Sequence, residues 1–304
     1  FAGYSSASGK AMDLPTRKLP LTADPDAWRW SVWGSGFGAA RFTGADGAAG
    51  TAAVTDRVYG AAVGADYRLT PSTVAGFALG GGGTNFNTYG LGSGSSDLFQ
   101  AGAFIRQHFG QSYVSAALAY GWQDVTTDRS VAGLDRLQGR FNVNSWAGRI
   151  DAGHRFALGS FGLTPYGALQ LTRVSLPSYV ETALGGPGLF ALSYADKDAT
   201  STRSELGLRA DARLDLGGLP LTLRGGLAWV HNFNPGSSVV AGFLSLPGTG
   251  FLVQGAAQDR NALRTTATAE LSLRNGLSLV ASFDGEFSRN SRSLGGKAAI
   301  RYSW

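Results

Sequence analysis

From residue 27 onward, apolar and polar positions alternate with a period of two through most of the chain. In 203–216, Arg203, Glu205, Arg209, Asp211, Arg213 and Asp215 share one face, while Ser204, Leu206, Leu208, Ala210, Ala212, Leu214 and Leu216 share the other. In 263–274, Arg264, Thr266, Thr268, Glu270, Ser272 and Arg274 oppose Leu263, Thr265, Ala267, Ala269, Leu271 and Leu273. In 278–288, Ser278, Ser282, Asp284, Glu286 and Ser288 oppose Leu279, Ala281, Phe283 and Phe287. Successive side chains of a strand point to opposite faces, so the pattern is that of strands. It predicts them near 27–42, 57–69, 72–88, 96–109, 111–126, 141–158, 161–174, 199–216, 219–233, 261–274, 277–289 and 294–304. Many run past the length of about ten residues that a tilted strand needs to cross a bilayer.

The predicted connections alternate in length. Thr70-Pro71, Gly110, Gly159-Ser160, Gly217-Gly218 and Asn275-Gly276 carry turn chemistry, and longer stretches fall near 43–56, 89–95, 127–140, 175–198 and 234–260. Counting the last of these as spanning would give fourteen strands rather than twelve, but the segment, with Phe243-Leu-Ser-Leu and Phe251-Leu-Val-Gln, reads better as extending two strands beyond the membrane as a hairpin. Alternation alone fits a soluble sheet with its apolar face inward or a barrel with that face outward. Short turns on one rim and long loops on the other favour the membrane barrel. Twelve strands without a helix to cover them favour closure, which removes sheet edges. Aromatics near strand ends point the same way, as girdles: Trp28, Trp30, Tyr59, Tyr67, Tyr113, Tyr120, Trp122, Trp146, Phe156, Phe161, Trp229, Tyr302 and Trp304. The expected fold is all-β, a transmembrane antiparallel up-and-down barrel of about twelve strands over 27–304, forming one domain.

Composition sharpens this picture. Of the 304 residues only 15% are charged, and the mean hydropathy is −0.03. No stretch approaches the roughly 20 apolar residues of a spanning helix, whereas an alternating strand averages to a middling value. The chain has no Cys, which excludes a disulfide scaffold, a thiol nucleophile and Cys-ligated zinc. Its net charge of +5 is spread singly rather than in basic runs, so nucleic acid is not an expected partner.

Residues 1–26 differ from the rest: a small, polar start that could form a short helix, then Pro15, Pro20 and Pro25, which forbid a continuous one. We read this segment as a linker, with no signal peptide in view and more chain upstream. Gly80–Gly83 lacks the Lys and Ser/Thr of a phosphate loop, so this run and Gly34, Gly36 and Gly38 read as lumen-facing space. Three histidines, His108, His154 and His231, come without a Gly-x-Ser-x-Gly motif or ligand spacing. His108 and His231 could share a rim with acidic residues, the arrangement a hydrolase would need. The expectation is no enzyme, no cofactor and no metal.

The last strand, Leu294-Gly-Gly-Lys-Ala-Ala-Ile-Arg-Tyr-Ser-Trp304, alternates to its final residue. This ending resembles that of bacterial outer-membrane proteins, which implies Ile300, Tyr302 and Trp304 as the signal read by the barrel-assembly machinery. Trp30-Ser-Val-Trp-Gly-Ser-Gly-Phe-Gly, Arg57-Val-Tyr-Gly-Ala-Ala-Val-Gly-Ala-Asp-Tyr, Thr202-Arg-Ser-Glu-Leu-Gly-Leu-Arg, Leu223-Arg-Gly-Gly-Leu-Ala-Trp-Val-His and Gly296-Lys-Ala-Ala-Ile-Arg-Tyr-Ser-Trp together resemble the translocator domain of autotransporters, the type V secretion family. The resemblance covers 27–304. It implies a twelve-stranded outer-membrane barrel, an upstream passenger carried to the cell surface, and a helix threading the pore. That helix is longer than 1–26 can form, and the paired-Asn scission site of self-cleaving members is missing before the barrel.

The implied partners are the chain's own passenger, the assembly machinery and outer-membrane lipid, with the barrel monomeric. Arg203, Glu205, Arg209, Asp211, Arg213, Arg264, Glu270, Asp284, Glu286 and Arg301 are expected to face the lumen and meet the translocating or plugging segment. Mutual pairing that stabilises a hydrated lumen is the plainer reading of the same charges. The alternative function is a solute-conducting porin. The passenger's identity and its release are beyond the sequence.

Overall fold

The computed structural model describes residues 29–45, 47, 50–131, 133–236, 238–255 and 259–304. The expected linker and short helix at 1–26, and the girdle residue Trp28, lie outside the described residues.

The strands are β1 (Trp30–Thr43), β2 (Val54–Thr70), β3 (Thr73–Thr88), β4 (Gly92–Phe109), β5 (Ser112–Val131), β6 (Asp135–His154), β7 (Phe156–Leu158), β8 (Phe161–Leu176), β9 (Tyr179–Gly185), β10 (Leu192–Tyr194), β11 (Lys197–Leu216), β12 (Leu219–Asn232), β13 (Ser238–Phe243), β14 (Gly250–Gln254), β15 (Asn261–Ser272), β16 (Leu277–Phe287) and β17 (Ser291–Ser303). Twelve of them form the wall, each antiparallel to its neighbour: β1, β2, β3, β4, β5, β6, β8, β11, β12, β15, β16 and β17. Pairing of β1 with β17, from Ser31↔Ser303 to Thr43↔Ser291, closes the barrel.

Register partners trace the strand tilt. From Trp30 the line runs through Tyr67, Ala75, Ile105, Ala116, Ile150, Leu169, Ser204 and His231 to Asn261, climbing from one rim to the other. That stagger is what closure of a barrel demands. The short connections expected from the sequence, at 70–71, 110, 159–160, 217–218 and 275–276, all lie on one rim. Gly217 and Gly218 have φ of 63° and 83°, the left-handed pair that a tight hairpin turn requires, and the Asp215 carboxylate accepts from Gly218 N at 2.8 Å.

The long-loop rim departs from the sequence expectation. The stretch read as a loop at 127–140 is strand on both sides of a short turn, and 89–95 shrinks to Tyr89–Leu91. The 175–198 segment also continues the wall, whereas 234–260 carries two wall strands upward as a hairpin of β13 and β14, as its sequence suggests. Leu176 pairs with Lys197; beyond the break at Pro177, Val180 pairs with Ser193 in unchanged register. Likewise Arg203↔Asn232 continues as Leu192↔Phe243, and His231↔Asn261 as Ser238↔Gln254. Proline without an N–H interrupts the ladder without turning the chain. Strands β5 to β15 therefore rise as a half-collar, with β8 and β9 reaching residue 185, while β16 and β17 stop after 11 and 13 residues.

The outer face is apolar: Leu206 is 60% exposed, Leu227 58%, Leu263 49% and Ile300 57%, a belt that only a nonpolar surrounding covers. Trp30, Tyr67, Phe109, Phe156, Phe161, Tyr302 and Trp304 ring the short-turn rim, and Phe99, Tyr120, Trp122, Trp146 and Trp229 lie toward the other. Tyr113 is a correction. It shares the inward parity of Ser115 and is buried inside, bonded to Asp151.

Candidate functional site

The site is the barrel interior. Because strand side chains alternate, every second residue of each wall strand is delivered there. Arg203, Glu205, Arg209, Asp211 and Arg213 have that parity on β11, Arg264 and Glu270 on β15, Asp284 and Glu286 on β16, and Arg301 on β17.

Glu205, 1% exposed, is the hub. It accepts from Arg149 at 3.1 and 2.8 Å and from Arg264 at 2.9 Å, with Tyr166 Oη at 3.4 Å. Arg149 and Arg264 stand on β6 and β15, each separated from β11 by an intervening strand, so these bonds run through the interior rather than along a ladder. Arg264 also donates to Asp284 at 2.9 Å. Arg203 donates to Glu286 at 2.6 Å, and Arg41 lies 3.7 Å from the same carboxylate. Toward the short-turn rim, Arg209 donates to Asp151 at 2.9 Å and sits 3.5 Å over the Tyr166 ring. Arg155 grips Asp211 with two bonds of 3.0 and 2.7 Å. Glu270 lies 3.3 Å from Arg224 and 3.5 Å from Arg301. Arg213, nearest the turn, is exposed.

The opposite wall adds neutral polar pairs to the buried Asp56, Asp66 and Arg106. Thr84 and Ser96 hydroxyls meet at 2.6 Å, and Ser96 donates to Gln123 at 3.2 Å. A charge-paired, polar interior holds water and offers no long row of one sign that would trap a passing chain. Removing one member of such a set leaves its partner charge unmatched, which costs more than the pair contributes.

Sequence reasoning missed Arg41, Arg149, Asp151, Arg155 and Arg224. The signal was there for Arg149 and Asp151, two apart in an alternating segment. Their partners were not legible, because which strands meet across a lumen depends on closure and stagger.

Two expectations fail. Gly34, Gly36 and Gly38 face outward, opposite in parity to buried Trp33 and Ser35, and so give no lumen space. Gly81 and Gly83 also turn outward, leaving Gly80 and Gly82 inside. At Gly82 a Cβ would stand 2.1 Å from Tyr59 O, so the residue permits close strand approach. His108 and His231 do not share a rim: His108 lies beside the Gly110 turn and His231 at the opposite end, in a ladder with Trp229 and Phe233. His154 bonds Ser112 at 2.8 Å on the short-turn rim.

The sequence model of the autotransporter beta-domain matches residues 32–284. Extracellular serine proteases of Serratia marcescens are 26% identical over 199 residues, 64% of this chain but 19% of the relatives, so the match spans about a fifth of those proteins. Among solved structures, the translocator domain of the autotransporter NalP from Neisseria meningitidis superposes with a TM-score of 0.80 at 15% identity, covering 100% of this chain and 97% of that one. The beta domain of the Bordetella autotransporter BrkA gives 0.68 at 19% identity over 91% and 100%, and the transport unit of AIDA-I from Escherichia coli gives 0.63 at 14% over 100% and 99%. These likenesses carry the fold, and the family match carries the assignment: the chain belongs to the autotransporter beta-domain family, whose barrels reside in the bacterial outer membrane.

Proposed function

We propose that this barrel translocates a passenger joined upstream of Phe1 to the cell surface and anchors it, with the long-loop rim outside. One observation carries the reading. Trp30 and Trp304 exchange backbone hydrogen bonds of 3.1 Å, so the barrel begins and ends at the short-turn rim. An upstream segment that reaches the other side without crossing lipid has one route, the interior. In this reading residues 1–26 are the linker at the pore, and the mixed charges around Glu205 line the path.

Translocation of this kind needs no catalytic group in the barrel. Extended chain passes outward through hydrated walls, and folding outside favours forward movement. Ile300, Tyr302 and Trp304, exposed on the outer face of the last strand, suit capture by the assembly machinery. The related extracellular serine proteases support a secreted hydrolase as cargo. The barrel acts as a monomer.

An epitope tag fused upstream of Phe1 tests the proposal. Antibody binding to the tag on intact cells is the expected result. A tag that stays on the periplasmic side, with the barrel folded, would contradict it.

A further inference from the structure

The apolar outer wall ends differently on its two flanks. On the low side, Arg57 of β2 and Arg292 of β17 both point outward and are exposed at the long-loop rim. They flank β1: Arg57 stands beside Ala40, Arg292 beside Phe42, and the Arg292 guanidinium lies 5.5 Å over the Phe42 ring. Two strands and one side-chain row apart, the two Cα atoms are separated by about 12 Å, within joint reach of two arginine side chains. One row below Arg57 is Tyr59, 57% exposed, and beneath it the belt of Val63, Leu79 and Ile300. The arginines thus crown the apolar belt at headgroup level.

Neither arginine makes an ion pair among the described residues. Nor does the outward face of β16, β17, β1, β2 or β3 carry a carboxylate there, since Asp56, Asp66, Asp284 and Glu286 all turn inward. The next outward carboxylates along the wall are Asp97 and Asp124, direct partners on β4 and β5, and on the tall flank Arg173 is closed by Asp198 at 2.6 Å. Guanidinium forks match phosphate geometry, and unmatched forks at headgroup depth select an anionic group.

We propose that Arg57 and Arg292, with Phe42 and Tyr59 beneath, seat a phosphate of an outer-leaflet glycolipid, the phosphorylated lipid A type. Two separated cations suit a headgroup with more than one phosphate. The choice of leaflet rests on the orientation proposed above.

Thermal unfolding of the purified barrel in zwitterionic detergent tests it, with lipid A, dephosphorylated lipid A and phosphatidylglycerol as probes. Lipid A at a hundredfold excess over Kd should raise the midpoint by about 5 °C or more. The R57Q/R292Q variant should lose that shift, and R136Q/R140Q, altering outward arginines of the tall flank, should keep it. An unchanged shift in R57Q/R292Q, no shift in the unaltered barrel, or an equal shift with dephosphorylated lipid A overturns the seat. An equal shift with phosphatidylglycerol overturns the glycolipid assignment. Orientation is read separately, by impermeant maleimide on intact cells carrying either the Tyr89→Cys or the Ser160→Cys variant. Labelling of the Tyr89→Cys variant alone supports the outer-leaflet assignment, and labelling of the Ser160→Cys variant alone overturns it whatever the detergent result.

Discussion

The tall and low halves of this barrel obey the same alternation inside the membrane and part company above it. On the low side, β16, β17 and β1 end about where the apolar belt ends, and arginines face outward. On the tall side, β8–β9, β10–β11, β12–β13 and β14–β15 run on in register, and the overhang is held by means proper to a soluble sheet. Asp135 accepts from Gly188 N and Phe190 N at 2.8 Å each, and Glu181 binds both Arg129 at 3.0 Å and Leu192 N at 3.0 Å. Tyr179 stacks between Phe141 at 4.1 Å and Tyr194 at 4.6 Å. Belt and collar are therefore separable: one is specified by lipid outside and ion pairs inside, the other by its own contacts.

The largest effect should come from the interior, where Glu205 ties β6 to β15 across the lumen and Glu286 ties the tall β11 to the low β16 and β1. Glu205→Gln leaves Arg149 and Arg264 without their shared carboxylate and should cost about 3 kcal/mol. The unfolding midpoint would fall by roughly 5 °C, measured as the temperature at which the barrel loses its compact electrophoretic mobility. A fall no larger than that of an outward control such as Ser204→Ala would remove the hub from the account.

Replacing 238–254 by a short turn should have a smaller effect. The wall stays closed, with a midpoint lowered by less than in Glu205→Gln. If that deletion unfolds the barrel, collar and belt are not separable.

The collar should also loosen at high pH while the belt holds. Burial, and then the negative Glu181 beside it, push the Tyr194 hydroxyl up to about 12, and burial pushes Tyr179 up as well. A raised phenol stabilises the fold fully below the ordinary pKa near 10 and loses that contribution as pH climbs through its folded value. Ultraviolet titration should find phenols ionising well above 10, and Tyr194→Phe should remove one. Ionisation of all tyrosines near 10 would break the claim. Smallest of all, Arg173→Ala should leave the midpoint unchanged, because the Arg173–Asp198 pair is exposed.

Much of the belt was legible in the sequence, since Leu206, Leu208, Arg209 and Asp211 alternate without interruption and lipid outside enforces the contrast. The collar was not. In Asp128-Arg129-Ser130 and Arg136-Leu137-Gln138 water bathes one face, the period-two contrast fades, and glycine and proline read as loop ends. Inward parity of the charged residues could be counted along each strand. Their partners could not, because Arg203 meets Glu286 only through closure, and strand-end position hides the inward parity of Tyr113.

The most direct test of the central claim is single-channel conductance in planar bilayers, comparing the whole chain with one lacking residues 1–26. Low conductance that rises sharply on truncation is the result the proposed pore linker predicts. A large, steady conductance from both would contradict the account and mark the barrel as an open channel.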